Sequence, residues 1–369
     1  MKYLQISTVM ASGSISRIMR QNYDEKKAQG WECLIAYGRG KSVKGYNSVR
    51  IGNDVDVVWQ GVETRLFDRH GYGSKSATRD FLKQADDFNP DIVHLHNLHG
   101  YYINFELLFA WLKKHPERTV WWTLHDCWSF TGHCAYFTAV GCDEWKKECR
   151  NCRQTKKYPT CNFYSNVQAN FSKKKRAFSG VKNMTIITPS KWLADLVKQS
   201  FLKEYPVEVR YNIIDTEIFK PTPSDFKLRA GIKNRKMILG VANVWEERKG
   251  LEDLIKLATI LDDTYVIVLV GLTEKQISHM PKNVIGYTRT SSAKELAEIY
   301  TAADVFVNPT YEDNYPTVNL EAEACGTRVI TYDTGGCRET VKREDSKVIP
   351  VGGINELLAE LKRIEEIGI

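Results

Sequence analysis

The sequence contains no apolar run of the roughly 18 to 20 residues that a membrane span needs. It has no internal repeat and no low-complexity segment, so neither a solenoid nor a disordered tail is expected. No Gly-x-Gly-x-x-Gly follows a strand pattern, which argues against a nicotinamide-dependent enzyme. The start, Met1-Lys2-Tyr3-Leu4-Gln5-Ile6, lacks the basic residues, apolar stretch and small-residue cleavage site of a secretion signal. It reads as a first buried strand, and the expectation is a cytoplasmic protein with reduced thiols.

What is present suits a folded enzyme of two ordinary domains. Of 369 residues, 43% are apolar and 26% charged, enough for a sizeable core. The net charge of +7 is uneven: residues 1–190 hold 28 Lys and Arg against 17 Asp and Glu, so the excess of basic residues lies there. Such a surface suits an anionic ligand or an anionic membrane face, and equally a merely solubilising role. Nucleic acid is not expected, because the run Lys173-Lys174-Lys175-Arg176 falls in a helical pattern without arrayed aromatics.

Short apolar runs alternate with helical patterns throughout, the mark of parallel sheets with crossover helices. Strands are predicted at 3–7, 31–36, 92–96, 120–124 and 184–189, then at 236–241, 265–271, 283–286, 305–308 and 328–332. Ser190 is an N-cap candidate for a helix whose apolar face is Trp192, Leu193, Leu196 and Val197. The polar stretch Lys220-Pro221-Thr222-Pro223-Ser224-Asp225 separates the halves. The expected fold is α/β, two doubly wound Rossmann-like domains facing a cleft, an N-terminal domain over 1–205 and a C-terminal domain over 206–369. A helical pattern at 354–364 nearly ends the chain and is a candidate to pack back on the first domain.

Open parallel sheets bind ligands beyond the carboxyl ends of their strands, where the polar clusters of this chain fall. After the strand at 305–308 come Glu312, Asp313 and Asn314 in a loop and Glu321 inside a helix that Gly326 ends. Carboxylates suit vicinal hydroxyls, because each oxygen accepts from one O–H. Arg248 and Lys249, at the turn after the strand at 236–241, suit a diphosphate. Gly335 and Gly336 after another strand permit close backbone approach to a ligand. Each cluster alone is also an ordinary turn or surface charge.

Taken together, the run from Asn308 to Thr327 (Asn-Pro-Thr-Tyr-Glu-Asp-Asn-Tyr-Pro-Thr-Val-Asn-Leu-Glu-Ala-Glu-Ala-Cys-Gly-Thr), with Arg248-Lys249-Gly250 upstream, resembles the retaining glycosyltransferases of GT-B fold. Many of these build bacterial capsule, exopolysaccharide or lipopolysaccharide. The resemblance implies that Glu321 binds the ribose of a UDP- or GDP-linked sugar and that Arg248 and Lys249 hold the diphosphate. It implies that position 313 contacts the transferred sugar, with retention at the anomeric carbon and no catalytic metal. The family pattern places two Glu separated by seven residues, whereas Asp313 stands in the first position here with Glu312 beside it. Both stay candidates. Asp54-Val55-Asp56 has the spelling of a metal-binding pair but precedes the apolar run 57–59 and reads as a turn.

In the first half, Gly13 and Ser14 follow the first strand at a helix start suited to an anion, or to no ligand at all. The resemblance places this loop over the donor phosphates. His94, His96 and His99 cluster at the end of one strand, with His94 and His96 on one face, and His125-Asp126 ends the next. By resemblance His125 approaches the transferred sugar or the acceptor; His99 is the second candidate. A metal among these histidines is disfavoured, since partner carboxylates are not evident.

Cys134, Cys142, Cys149, Cys152 and Cys161 fall within one stretch. Cys149-x-x-Cys152 with Cys134 and Cys142 resembles a four-thiolate structural zinc site; disulfides and free thiols are the alternatives. Lys146, Lys147, Arg150, Arg153, Lys156 and Lys157 lie there among Trp128, Phe130, Tyr136, Phe137 and Trp145, a mixture suited to a membrane interface. The expectation is therefore a hexosyltransferase at the inner face of the cytoplasmic membrane, acting on a saccharide acceptor, lipid-linked. A nucleotide-sugar epimerase and a non-catalytic nucleotide-sugar-binding protein are the alternatives.

Overall fold

The computed structural model describes residues 1–366; residues 367–369, counted above in the second domain, lie outside the described residues. The chain divides into two compact units, Met1–Tyr211 and Asn212–Ile369. Each is built on one parallel sheet.

The first sheet contains β1 (Lys2–Val9), β2 (Glu32–Arg39), β3 (Ser48–Arg50), β4 (Ile92–Leu95), β5 (Thr119–Thr123), β6 (Met184–Thr188) and β7 (Val207–Val209). Their order is β3-β2-β1-β4-β5-β6-β7. The order reverses beside β1, which places the β1 and β4 loops at a topological switch point. The second sheet contains β8 (Lys236–Val241), β9 (Tyr265–Val270), β10 (Val284–Tyr287), β11 (Val305–Asn308), β12 (Val329–Tyr332) and β13 (Lys347–Ile349), in the order β10-β9-β8-β11-β12-β13. It reverses in the same way beside β8. All ladders are parallel in both sheets.

Central strands covered on both faces must be apolar along their length. β9, Tyr-Val-Ile-Val-Leu-Val, is buried at every position. The strands that composition did not reveal are β3, β7 and β13, each an edge strand of three residues. An edge strand covers less apolar surface, so its sequence carries little pattern. Because β7 completes the first sheet, that unit continues a little beyond residue 205.

Local signals elsewhere follow ordinary chemistry. Ser190 Oγ accepts from the Leu193 N–H at 3.1 Å and caps the helix Lys191–Gln199. In the helix Ile354–Glu366, Leu357 and Leu361 enter the core of the second unit. Asp54-Val55-Asp56 is not a turn. It opens the helix Asp54–Phe67, because Asn53 and Asp56 exchange side-chain-to-backbone hydrogen bonds in a capping box. Lys174, from the basic run, is buried in the helix Val167–Phe178 and donates to the carbonyls of Trp128 and Thr131 at 2.7 and 3.1 Å. Burial lowers it to about 7.

Candidate functional site

In the second unit, Arg248 and Lys249 end a short 3-10 turn after β8, and Gly250 caps the next helix at φ 74°. A Cβ at Gly250 would stand 2.0 Å from the Pro309 carbonyl oxygen, so only glycine lets this turn meet the loop after β11. The Arg248 carbonyl then accepts from the Tyr311 N–H at 2.7 Å. Its guanidinium donates to the Glu312 carbonyl at 2.9 Å. Lys249 Nζ lies 2.5 Å from the Asp313 carboxylate. The two cations and the acidic loop thus form one assembly from segments 64 residues apart.

Burial by itself would raise the Asp313 carboxyl, but the charges of Lys249 and Arg248 outweigh it and hold the group below the ordinary carboxylate range. Asp313 is therefore an anion. The paired glycines serve this loop directly. Gly335, at φ 55°, has its missing Cβ 1.7 Å from the Asp313 carbonyl oxygen, and the Gly336 N–H donates to that oxygen at 3.2 Å. The close approach expected toward a ligand is, at Gly335, an approach to the Asp313 backbone. Glu312 and Asn314 are buried on either side.

Glu321 lies in the helix Thr317–Ala324 and is 2% exposed; the Tyr300 hydroxyl donates to its carboxylate at 3.3 Å. Asn319 in the same helix ties it to β11 through Asn308 at 2.9 Å and to Thr340 at 2.9 Å. Tyr300 and Asn319 were not singled out from sequence; no motif spacing connects them to the carboxylates they position.

In the first unit, Gly13 starts the helix Ser14–Ala28 at φ 86° without a side-chain cap, and both Gly13 and Ser14 are exposed. Ser16 Oγ donates to the carbonyls of Val9 and Ser12, which folds the preceding loop back on its strand. No side chain caps the first-turn N–H groups, which is what a helix start used for an anion requires.

The histidines divide by role. His94 is buried between Tyr3 at 2.5 Å and Thr123 at 2.7 Å and belongs to the core. His96 shares hydrogen bonds with Gln5 at 3.2 Å and His125 at 3.3 Å. His99 Nε2 lies 2.8 Å from Asp126, and its Nδ1 shares a hydrogen bond of 2.9 Å with the Tyr158 hydroxyl. Parallel pairing of β4 with β5 brings His96, His99, His125 and Asp126 to one edge. Burial lowers His125 to about 4, against the Asp126 charge, so it is a neutral imidazole at pH 7. Burial would raise Asp126, but His99 holds it down as an anion. Asp126 is the partner carboxylate that the sequence left unassigned; Tyr158 and the neighbouring His70 arrive from distant segments that no local pattern joins.

Cys134, Cys142, Cys149 and Cys152 line one cavity of about 10 Å³, walled by Phe137 and Trp145. The Gly132 N–H donates to Cys149 Sγ and the Gln154 N–H to Cys152 Sγ, both at 3.3 Å, and the Cys134 thiol donates a hydrogen bond to Cys152. None of the nine cysteines is in a disulfide. Among the described residues, no three of His, Cys, Asp or Glu are grouped as a bound metal ion would hold them. Of the aromatics named in this stretch, Trp128, Phe130, Phe137 and Trp145 are buried in the core of the first unit, and Tyr136 is partly buried against it.

These two parallel sheets, with a cation pair and an acidic loop at the carboxyl edge of the second, make a doubly wound α/β architecture of two units. The profile described as Glycosyltransferase Family 4 matches residues 24–218, and that of Glycosyl transferases group 1 matches 225–367. The chain belongs to glycosyltransferase family 4. It is 25% identical to the putative colanic acid biosynthesis glycosyl transferase WcaC of Escherichia coli K12, over 95% of this chain and 87% of that protein. Over 30% of each chain it is 28% identical to the Campylobacter jejuni N,N'-diacetylbacillosaminyl-diphospho-undecaprenol alpha-1,3-N-acetylgalactosaminyltransferase. Among solved structures it resembles Anabaena HepE in complex with UDP and glucose, with TM-score 0.68 and 14% identity over 99% of this chain and 90% of that one. The lipopolysaccharide glycosyltransferase WaaG aligns with TM-score 0.65 and 14% identity, covering 99% and 90%. The architecture is therefore GT-B. Among the described residues, no helix is long and apolar enough to cross a membrane.

Proposed function

We propose that this glycosyltransferase moves a hexose from a UDP- or GDP-sugar to a lipid-linked saccharide, with retention, in bacterial surface polysaccharide synthesis at the inner face of the cytoplasmic membrane. The observation that carries this reading is the assembly of Arg248, Lys249 and Asp313, two cations beside one partly buried anion at the carboxyl edge of a parallel sheet. The names of the relatives, colanic acid synthesis and an undecaprenol-linked acceptor, support the acceptor class.

In this reading Arg248 and Lys249 neutralise the diphosphate as it leaves, and Asp313 holds hydroxyls of the transferred sugar, with Glu312 as its alternate. Glu321, oriented by Tyr300, receives the ribose hydroxyls. Asn314 and the turn at Gly13 and Ser14 meet the donor, and neutral His125, with His99 behind Asp126, faces the sugar or acceptor. The acceptor oxygen attacks the anomeric carbon from the side of the departing phosphate. The carbon–phosphate-oxygen bond breaks as the new glycosidic bond forms, and the leaving phosphate takes the proton. No step needs a metal.

We also propose that Cys134, Cys142, Cys149 and Cys152 hold a structural zinc. Four thiols share one small cavity; the hydrogen bond from Cys134 lowers Cys152 to about 6, whereas burial raises Cys149 to about 12, so a bound cation would have to draw off that proton. Zinc–sulfur distances of about 2.3 Å would draw them inward.

The test is incubation of pure protein with UDP- and GDP-hexoses, following release of nucleoside diphosphate and the anomeric configuration of the product. Release with retained configuration is expected. Epimerised donor, or binding without any release, would replace this reading with one of its alternatives.

A further inference from the structure

The helix Asp54–Phe67 packs one face inward through Gln60, Gly61 and Thr64. Its opposite face carries Val55, Val58, Trp59 and Val62 at helical spacing, with Val55 76% and Trp59 65% exposed. Asp56, the one acidic residue between Val55 and Val62, turns its carboxylate back onto the Asn53 N–H at 2.9 Å. Between Val55 and Val62 the outward face is therefore apolar.

The stripe continues at the end of the helix. Residues 162–166 are laced to it by hydrogen bonds from the Asn162 N–H to the Arg65 carbonyl at 2.7 Å, from the Tyr164 N–H to Leu66 at 3.1 Å, and from the Asn166 side chain to Phe67 at 2.6 Å. This lacing holds Phe163 and Tyr164, 73% and 72% exposed, beside exposed Phe67. Cations gather at the same end: Arg65 and Arg69 are exposed, and Lys156 donates to the Asn162 carbonyl at 3.1 Å. Asp54, at the other end, is paired with Arg50.

We propose that this face, Val55, Val58, Trp59 and Val62 with Phe163 and Tyr164, docks the enzyme on an anionic lipid bilayer. A convex helix face with aliphatic and indole side chains outward and arginines at its rim matches a bilayer interface. The acyl boundary takes the apolar stripe, Trp and Tyr sit at headgroup depth, and the cations meet lipid phosphates. The inference rests on the lipid-linked acceptor proposed above and gives a chain with no membrane-spanning helix among its described residues a route to it. It also relocates the contact expected near residues 127–161, where Trp128, Phe130, Phe137 and Trp145 are buried.

The experiment is co-sedimentation of the full chain with phosphatidylcholine vesicles with and without phosphatidylglycerol. Wild type should bind only the anionic vesicles, and added salt should weaken binding. The Val58→Glu/Trp59→Glu and Phe163→Ser/Tyr164→Ser variants should each lose roughly ten-fold or more of the bound fraction. Donor hydrolysis and the melting temperature should stay unchanged, since none of these residues touches the donor site or the core. Equal vesicle binding by the variants, or none by wild type, overturns the proposal. So does a concentration-dependent dimer, seen by sedimentation velocity, that the same substitutions abolish without any lipid effect; the face would then be a contact between two copies. Vesicle binding without transfer to a lipid-linked acceptor would sink the acceptor reading and leave the docking face standing.

Discussion

Gly335 sits directly on the carbonyl of Asp313: a Cβ there would lie 1.7 Å from that oxygen, nearer than any non-bonded contact allows. The loop after β12 thereby sets the position of the loop after β11. Gly335→Ala should displace the acidic loop, lower stability by about 2–4 kcal/mol and weaken nucleotide binding. Gly13→Ala is the contrast. It also has positive φ, but nothing lies within 4 Å of its missing Cβ, so backbone strain of roughly 1–3 kcal/mol without displacement of a neighbouring loop is expected. Denaturant melts and UDP titrations of both variants check this.

Asp313→Asn should cut turnover by roughly a hundred-fold or more while nucleotide affinity changes by less than about three-fold. Glu312→Gln should do much less, because it is Asp313 that holds Lys249. Separate kcat and Kd measurements decide between the two acids; the reverse ranking would move the sugar contact to Glu312.

Acid should loosen the first unit through its histidines. Burial lowers His94 to about 3 and His125 to about 4, from an ordinary 6.5. A base held neutral in the fold but protonated more readily in the unfolded chain favours unfolding once the pH drops below its unfolded value. Its stability is thus fully present above about pH 6.5 and lost as pH falls toward 4 and then 3, roughly 5 kcal/mol for His94 alone. His94→Gln should flatten the fall in denaturation midpoint between those limits.

Elemental analysis of protein purified without chelator should find about one zinc per chain, lost in a Cys149→Ser/Cys152→Ser variant. Chelation should lower the melting temperature of the first unit and leave UDP binding to the second intact. Protein that holds no zinc, with all four thiols reactive, would reduce the cluster to free thiols.

The parallel sheets, their ten longer strands and the family motif were legible because each rests on local chemistry. β9 is apolar at every position, Ser190 and Asn53 carry cap side chains, and the acidic loop and cation pair stand at strand ends. Even there, Asp54-Val55-Asp56 read as a turn until the Asn53 cap was seen, since a capping box works through backbone N–H groups that only a folded first turn presents. Tertiary structure alone decided which distant segments meet. It joined Lys249 to Asp313, Gly335 to the Asp313 carbonyl, Asp126 to His99 and Tyr158, and Tyr300 to Glu321. It also decided which aromatics face inward, burying Trp128 and Trp145 while leaving Trp59 and Phe163 in solvent. The physical reason is the same throughout: periodicity and capping act over a few residues, whereas burial and pairing depend on where parallel crossovers return the chain.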